Sequence, residues 1–489
     1  PLARTIPPLY PATMQDLQKA KWSDLYMEPE LYKSAVRLYT KPLFNWQKAL
    51  SCSTDERTLY DFARKGLKNL QVIHSQLADR RFHFRPGLAC HHNFNGKYRT
   101  LYIYPWEERL VDLLLYRMLN RRFNRWFSPN SYAYRLDGWS LDRCQRKVAR
   151  TITAAGGTVY AVKRDISDYF GSIDHDLLLG QVDEMVAPGD YLSDLLRERI
   201  HFKFVDHGVE KTAERGIPFG AAVACFFANL FLTRLDRRLE RIPNLGYFRY
   251  ADDILVLSAD RGAAETAVAA LGEELAALKL KSNAKHEHDM KLMQHGESDA
   301  QFLPASHFRH LGLEFRADGT IALSRDKTRK IQNLFRYAFR RRAGGFRRLK
   351  DPLKKAQLAI DLCRKVLDTG IRNVGIIDYY LRHVCKEDQL RMIDRWLAEE
   401  TLSLVFGGHR KGNFRRLPYS RMRAMGLPSL VQRRRLIIHG HLDSTFFVWK
   451  STMAARRTGA RAARPAGGRK SGTGQAFSPC PEAAANKSP

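Results

Sequence analysis

The sequence has no run of about 18 apolar residues, the length that a helix needs to cross a bilayer. Its N-terminal stretch also lacks a signal-peptide pattern, so we expect a soluble, cytoplasmic protein. The seven cysteines are scattered and never stand as a CxxC pair. This spacing indicates neither a disulfide framework nor a zinc knuckle, and we expect reduced thiols.

Acidic residues are few beside the basic ones: 51 Asp and Glu accompany 82 Lys and Arg, and the formal net charge is +31. A compact chain with this excess repels itself unless a polyanion or counterions neutralise it. Nucleic acid is therefore the expected partner, since no membrane-spanning run accompanies the charge. Hydrophobic residues make up 44% of the 489 positions, enough for two or three domains with their own cores.

The pattern of apolar residues divides the chain into four segments. Residues 1–95 show helical spacing, as in TLYDFARKGLKNLQVIHSQLADRRF, and predict a helical N-terminal extension. Short β-branched runs alternate with helical runs over 96–323, which predicts an α+β domain. Residues 324–452 predict a basic α-helical domain. Residues 453–489 predict a disordered basic tail, because they contain almost no large apolar side chains.

The helical segment begins with a strongly basic stretch. SRDKTRKIQNLFRYAFRRRAGGFRRLK carries eleven Lys or Arg against one Asp. A solvated helix face is one explanation for such a run. Contact with the backbone of a nucleic-acid duplex is the other, and the number of cations in one segment favours it.

YADD at residues 250–253 is the sharpest local signal. It stands between GYFRY and ILVLSA, two apolar-rich runs that predict a β-hairpin with Asp252 and Asp253 at its tip. Aspartates are common in turns, so an isolated pair would ordinarily be structural. A functional pair needs a third carboxylate nearby.

Asp165 can supply the third carboxylate. It ends the β-branched run of TVYAVKRDISDYFGSIDH, and a helix is predicted to begin after Ser172. Three carboxylates can hold two hard cations such as Mg²⁺, which prefers oxygen ligands and retains waters and substrate phosphates in its shell. Asp168 and Asp174 compete with Asp165 for this role, and we interpret them as solvated turn and helix-start residues.

The order of the elements supports this arrangement. A strand that ends at Asp165 is followed by a helix, by the hairpin around Asp252, by a helix in AAETAVAALGEELAALKL and by further strands. This is the split βαβ plan, in which two strands lie side by side at the centre of an antiparallel sheet. Asp165 and Asp252 are predicted to meet there.

Five segments occur in the order found in a known family. DISDYFGSIDH, RGIPFGAAVACFFANLFL, YADD, LKLKSNAKHEH and HLGLEF resemble successive motifs of the reverse transcriptases of bacteria, a group that includes group II intron proteins, retron enzymes and phage-defence enzymes. The resemblance covers roughly residues 97–325 and, more loosely, the chain to about 405. It implies a right-hand polymerase with fingers, a ferredoxin-like palm and an α-helical thumb, which makes DNA on an RNA template.

The resemblance also implies roles for individual residues. Asp165, Asp252 and Asp253 would be the catalytic carboxylates, and together with Ile166 they would hold two Mg²⁺ ions, or Mn²⁺ in their place. Phe170 stands where the family keeps an aromatic that crowds the sugar 2′-hydroxyl and favours deoxynucleotides, although a core position would also explain it. The remaining positions imply a nucleotide site at Lys97, Arg99, Phe219, Gly220 and Lys285, and a primer grip at Leu311 and Gly312.

Phe219 departs from the family pattern. Most relatives have Gln where this chain has Phe in RGIPFG, and that Gln lies beside the nucleotide and template. A phenyl ring cannot hydrogen-bond, so selection at this position would depend on stacking or shape. We expect synthesis that is biased in composition or loosely templated.

The segment NVGIIDYYLRHVCKEDQLRMIDRWLAEETL resembles the thumb of group II intron proteins. No endonuclease-like Cys/His cluster follows it, and no Val-Thr-Gly occurs in it. By elimination we expect a stand-alone enzyme of the defence-associated (unknown-group or abortive-infection) type, acting on a dedicated non-coding RNA in the bacterial cytoplasm. A maturase or RNA-binding protein derived from a group II intron, and a retron-type enzyme, are the alternatives. Expected partners are an RNA template, a DNA product and deoxynucleoside triphosphates. We expect no membrane contact, and the sequence leaves open whether the protein forms a homo-oligomer.

Overall fold

The computed structural model describes residues 18–42, 45–94, 97–135, 138–293, 301–368 and 374–440. The tail predicted to be disordered, 453–489, lies outside these residues. The described residues form two compact units, of which the first takes those up to Thr151, Thr158–Lys291 and 301–304. The second takes Ile152–Gly157, 292–293 and the residues from Ala305 to 440. The sequence-based division into four segments stays a prediction.

The secondary structure is mixed, with helices in the majority. Up to residue 305 the elements are α1 Trp22–Leu25, α2 Glu28–Thr40, α3 Asn45–Leu50, α4 Leu59–Arg64, α5 Gly66–Ala78, β1 Gly87–Phe94, β2 Lys97–Ile103, α6 Trp106–Phe123, α7 Leu141–Ala155, β3 Val159–Asp165, α8 Tyr169–Ser172, α9 His175–Met185, α10 Tyr191–Ile200, β4 Lys203–Asp206, β5 Val209–Thr212, α11 Ala224–Phe231, α12 Thr233–Glu240, β6 Gly246–Tyr250, β7 Asp253–Ser258, α13 Arg261–Ala277, β8 His288–Leu292 and β9 Leu303–Ala305. Beyond it follow β10 His307–His310, β11 Leu313–Arg316, β12 Ile321–Ala322, α14 Arg325–Arg341, α15 Ala343–Arg348, α16 Pro352–Asp368, α17 Val374–His383, α18 Glu387–Phe406, α19 Asn413–Arg416, α20 Tyr419–Ala424 and α21 Leu430–Ile438.

Helices α4 and α5 confirm the helical spacing noted in the N-terminal segment. Thr58 begins α4 with a capping box, in which its hydroxyl accepts a hydrogen bond from the Asp61 amide and the Asp61 carboxylate accepts one from the Thr58 amide. Ile73 and Leu77, four residues apart, are buried on the inner side of α5. The capped start and the apolar stripe together explain why this stretch is helical.

Strands β1, β2, β4 and β5 form a four-stranded sheet in the order β2-β1-β4-β5, which we call the finger sheet. β1 and β2 pair as an antiparallel hairpin, with His91 opposite Thr100 and His92 opposite Arg99. β4 lies parallel to β1, and β5 returns antiparallel to β4. The finger sheet thus joins two hairpins that are far apart in the sequence.

The second sheet of this unit has the order β6-β7-β3-β8-β9. Helices α8–α12 come between β3 and β6, and α13 comes between β7 and β8. Strands β3, β6, β7 and β8 therefore follow the predicted split βαβ, ferredoxin-like plan. Helix α13 packs on β3 and β7 through small side chains, among them Ala264 and Ala267. We call this sheet the palm sheet.

The second unit is mainly helical, as the predicted thumb requires. A three-stranded meander, β10-β11-β12, precedes α14. On α14 the buried side chains are Ile331, Phe335 and Phe339, spaced four residues apart, while the basic residues occupy the remaining positions. The apolar stripe anchors the helix and leaves the cations outside.

Five cysteines are free thiols in the described residues, namely Cys52, Cys90, Cys144, Cys225 and Cys363. Cys385 is disulfide-bonded, so the expectation of reduced thiols is confirmed only for those five. Among the described helices, none is both long enough and apolar enough to span a bilayer.

Candidate active site

Two neighbouring strands bring the predicted carboxylates together. β3 pairs antiparallel with β7, and Asp165 lies directly opposite Asp253. β7 in turn pairs with β6, with Tyr250 opposite Asp253, so Ala251 and Asp252 form a two-residue loop at the tip of the hairpin. The structure therefore confirms the hairpin and places its second strand, β7, beside the strand of Asp165.

The electrostatics of Asp252 show that the three carboxyl groups interact. Burial raises the pKa of Asp252 above its ordinary value, and the charges of Asp165 and Asp253 raise it further. The guanidinium of Arg99 acts in the opposite direction. Three carboxylates in one partly buried place repel one another, and a cation with oxygen ligands would relieve that repulsion.

Two polar side chains hold the carboxylates in place. Lys163 Nζ lies 3.8 Å from Asp253 Oδ1. Asn283 Nδ2 donates to Asp165 Oδ2 at 3.3 Å, and its backbone amide donates to the Asp165 carbonyl at 2.7 Å. Asn283 is a site residue that the sequence analysis missed, because only the fold brings this turn to the end of β3.

Ile166 and the two competing aspartates have distinct surroundings. The Ile166 side chain is buried, and the residue bridges to Ser282, so only its main-chain carbonyl could contribute to a metal site. Asp174 caps α9 by accepting from the Leu177 amide and pairs with Lys279 at 2.6 Å, which confirms its role at a helix start. Asp168 is exposed and precedes α8 with a φ of 41°.

A buried ion pair supports the hairpin that carries Asp252. Arg249 on β6 and Asp236 on α12 are both fully buried, and Arg249 Nη2 lies 2.6 Å from Asp236 Oδ2. Arg249 Nη1 also donates to the Ala251 carbonyl at 3.3 Å, within the loop that carries Asp252. Tyr247 completes the group by donating to Asp236 Oδ1 at 2.5 Å. The only sequence signal was an Arg inside an apolar strand, next to YADD.

Burial alone would lower the pKa of Arg249, but the charge of Asp236 and the phenolic group of Tyr247 more than offset it. The pKa of Arg249 is accordingly held above its ordinary value. The Arg249 guanidinium therefore stays charged although it is fully buried. Such a pair is costly to break, because the remaining partner is left as a buried, uncompensated charge.

Phe170 and Phe219 form an aromatic pair near the carboxylates. Their ring centroids are 5.4 Å apart with an interplanar angle of 89°, an edge-to-face contact. The ring centroids of Tyr134 and Phe170 are 6.2 Å apart, and Arg99 Cζ lies 5.9 Å from the centre of the Phe219 ring. Arg99 and Phe170 are therefore both neighbours of Phe219.

Gly220 permits the close approach of the Phe219 loop to the finger sheet. Tyr102 donates its amide hydrogen to the Phe219 carbonyl at 2.9 Å. Gly220 has a φ of +123°, and a Cβ atom there would lie 2.6 Å from the Tyr102 carbonyl oxygen. Only glycine fits, for reasons of both conformation and space.

The remaining predicted residues occupy turns and a strand end. Lys97 begins β2, and its side chain lies outside the described part of the structure. Lys285 is exposed on a 3₁₀ turn, Ala284–His286, two residues beyond Asn283. In the second unit, Leu311 and Gly312 form the two-residue loop between β10 and β11, and both have positive φ, as a type I′ turn requires.

A ferredoxin-like palm with clustered carboxylates at the ends of its central strands defines the class of nucleic-acid polymerases. Within that class the chain belongs to the reverse transcriptase (RNA-dependent DNA polymerase) family. The family model matches residues 67–315, which is about half of the 489 residues and includes both the finger sheet and the hairpin of Asp252.

Curated relatives match over parts of their length. Protein YkfC of Escherichia coli (strain K12) is 25% identical over 174 residues, which cover 35% of this chain and 45% of that protein. The COX1/OXI3 intron 1 protein of Saccharomyces cerevisiae is 21% identical over 194 residues, which cover 39% of this chain and 23% of that protein. The match thus spans less than half of either relative.

A solved structure of telomerase from Candida albicans, in complex with a fragment of telomeric RNA, is also similar to this chain. The sequence identity is 12% and the TM-score is 0.42, with 81% of this chain and 69% of the telomerase chain covered.

Proposed function

We propose that this protein is an RNA-directed DNA polymerase that adds deoxynucleotides to a primer at the carboxylate cluster of its palm. The observation that carries the proposal is the convergence of Asp165, Asp252 and Asp253 on paired strands, in a chain of the reverse transcriptase family. A protein that only bound RNA would gain nothing from clustered acidic groups that repel one another.

The three carboxylates, with the Ile166 carbonyl, would hold two Mg²⁺ ions, with Mn²⁺ as a substitute. Bound ions would activate the primer 3′-oxygen and neutralise the charge of the pyrophosphate leaving group. Asn283 orients Asp165 through two hydrogen bonds, and Arg249 fixes the loop of Asp252. The protein's own contribution is thus a rigid set of oxygen ligands.

Around the carboxylates, we assign the nucleotide to the Arg99, Phe170 and Phe219 group. Arg99, with Lys97 and Lys285, supplies positive charge for the triphosphate. Phe170 restricts the space at the sugar 2′ position. Phe219 and Gly220 line the template side of the nucleotide, and base selection there relies on stacking, since phenyl has no hydrogen-bonding group. Leu311 and Gly312 stay a proposed primer grip on the strength of the sequence resemblance.

The choice of base is testable at Phe219. We expect the wild type to copy a defined RNA with a biased composition, and Phe219→Gln to shift that composition. Sequencing the products of both proteins on one heteropolymer template decides the matter. Unbiased, accurate copying by the wild type would contradict the proposal that base selection at Phe219 relies on stacking.

The biological setting is a further proposal, which the sequence alone supports. We propose a bacterial cytoplasmic enzyme with a dedicated structured RNA as its template, acting in defence against phage and able to form homo-oligomers. Plating efficiency of phage on cells that express the wild type or Asp252→Asn tests the defence role. Equal plating on the two strains would contradict that role and leave the polymerase assignment intact.

The polymerase assignment itself is tested by primer extension on an RNA template with deoxynucleotides and Mg²⁺. We expect Asp165→Asn and Asp252→Asn to abolish incorporation while they retain RNA binding, because each removes ligand charge without changing the cationic surface. Asp168→Asn is the matched control, since Asp168 is exposed and lies three residues from Asp165, and it should retain activity. Substantial synthesis by Asp252→Asn would contradict the assignment.

A further inference from the structure

Three side chains of the finger sheet converge apart from the proposed active site. His91 lies on β1, Asp206 ends β4, and His207 occupies the turn that follows it. One potential ligand atom from each lies within 4.8 Å of the other two. Nε2 of His91 is 3.2 Å from Asp206 Oδ1, and Nε2 of His207 is 3.7 Å from the same oxygen. Both imidazoles thus face one carboxylate oxygen.

These separations fit ligands that share a cation. Tetrahedral Zn²⁺ binds nitrogen and oxygen at about 2.0–2.2 Å, which places two ligand atoms about 3.3–3.6 Å apart. The two nitrogen-to-oxygen distances fall on either side of that range. A hydrogen bond explains the shorter distance but not the longer one, because 3.7 Å exceeds hydrogen-bond length.

Neighbouring groups orient two of the ligands. His91 Nδ1 lies 3.1 Å from Thr100 Oγ1, and if Nδ1 carries the proton and donates it there, Nε2 is free to bind a cation. Lys211 Nζ donates to Asp206 Oδ2 at 2.9 Å and leaves Oδ1 directed at the histidines.

The third ligand stands in a tight turn. His207 and Gly208 form the two-residue loop between β4 and β5, and both have positive φ, as in a type I′ turn. Asn is the residue that usually occupies the first position of such a turn. The histidine ring stacks on that of His91, with centroids 5.9 Å apart and an interplanar angle of 21°. The turn therefore directs an imidazole back over the sheet.

We propose that His91, Asp206 and His207 form a binding site for one divalent transition-metal ion. Zn²⁺ is the preferred ion, and a water molecule would complete its coordination. Two imidazoles and a carboxylate suit Zn²⁺ better than Mg²⁺, which prefers an all-oxygen shell. The ion would fasten β1 to the β4–β5 turn. Arg99 and Thr100 are consecutive on β2 and point to opposite faces, so this site is separate from the nucleotide residue Arg99.

Calorimetric titration of tag-free, full-length protein with ZnCl₂, in excess Mg²⁺ to occupy the oxygen-ligand site, tests the proposal. The wild type should bind one equivalent of Zn²⁺, and His91→Gln and His207→Asn should not bind it. Asn is chosen at position 207 because it preserves the left-handed turn. His92→Gln is the matched control, because His92 is the next residue of the same strand and points to the other face. It should bind Zn²⁺ as the wild type does.

Two further measurements distinguish loss of the metal site from poor folding of the ligand variants. Thr100→Val leaves all three ligands in place and should weaken Zn²⁺ binding by about 10–100-fold, the usual effect of losing an orienting partner. Zn²⁺ should also raise the thermal unfolding midpoint of the wild type and of His92→Gln, but not that of His207→Asn. Absence of Zn²⁺ binding by the wild type, or an unchanged equivalent in both ligand variants, would overturn the proposal. Neither readout depends on polymerase activity.

Discussion

At Asp252 the requirements of folding and of chemistry oppose each other. The carboxyl group is partly buried beside Asp165 and Asp253, and its pKa is raised above the ordinary value. A raised carboxyl pKa means that the folded chain favours the protonated form. The corresponding stability is fully present below the unfolded-state pKa and is lost as the pH rises through the folded-state pKa. At neutral pH the ionised group therefore destabilises the metal-free protein.

We accordingly predict that Asp252→Asn stabilises the protein at neutral pH in the presence of EDTA. The gain should be about 0.5–2 kcal/mol, the range that single stabilising substitutions commonly give. It should disappear in acid, where the wild-type carboxyl is protonated. Thermal unfolding at several pH values is the measurement, with Asp176→Asn, an exposed carboxylate, as the control. A variant less stable than the wild type at neutral pH would contradict this account of Asp252.

Phe170 is the second residue with a defined prediction. Its ring is held edge-on by Phe219 and Tyr134, so it presents a fixed surface near the carboxylates. Phe170→Ala should raise ribonucleotide incorporation relative to deoxynucleotide incorporation, because the 2′-hydroxyl no longer meets the ring. Phe170→Tyr keeps the bulk and should leave the ratio low. An unchanged ratio in Phe170→Ala would mean that the residue serves only the core.

At the scale of elements, the hairpin of Asp252 depends on an ion pair that contributes no ligand. Arg249 bonds both Asp236 and the Ala251 carbonyl, so it links α12 to the catalytic loop. Arg249→Met should destabilise the protein by about 3–5 kcal/mol, since Asp236 is left as a buried charge. Denaturant unfolding provides the measurement.

A double substitution separates the effect of the buried charge on stability from the effect of Arg249 on the position of the Asp252 loop. Arg249→Met/Asp236→Asn should recover part of the lost stability, because no charge remains buried, yet it should keep a low rate of synthesis because the Ala251 carbonyl has lost its donor. Full recovery of synthesis by the double variant would show that Arg249 has no part in positioning the loop.

Sequence patterns predicted the palm sheet well because its signals are local. A β-branched run ending in Asp165 and apolar runs on both sides of YADD suffice for two strands and a hairpin, and the interposed helices determine their order. Asn283 and the Arg249–Asp236 pair were not predictable, because each contact joins elements whose pairing emerges only in the fold. The histidine and aspartate cluster of the finger sheet escaped notice for the same reason.

At the scale of the whole molecule, the dominant feature is the net charge of +31. Residues 453–489 contribute seven Lys or Arg against one Glu. Deleting them should leave the protein folded and weaken RNA binding modestly. It should also make the salt dependence of binding shallower, by a slope of about 0.7 for each single-strand phosphate contact that is lost. Binding titrations over a range of salt concentrations measure the slope, and an insoluble truncated protein would contradict the prediction.

The central claim, that this chain copies RNA into DNA, is tested most directly by supplying one heteropolymer sequence as an RNA or a DNA template. Each template carries the same annealed primer, with either deoxynucleotides or ribonucleotides and with Mg²⁺, and the products are sequenced. We predict that the wild type extends the primer on RNA with deoxynucleotides, into a product whose sequence depends on the template. Extension only with ribonucleotides, or no extension on RNA under conditions where the protein is folded and bound to the template, would contradict it.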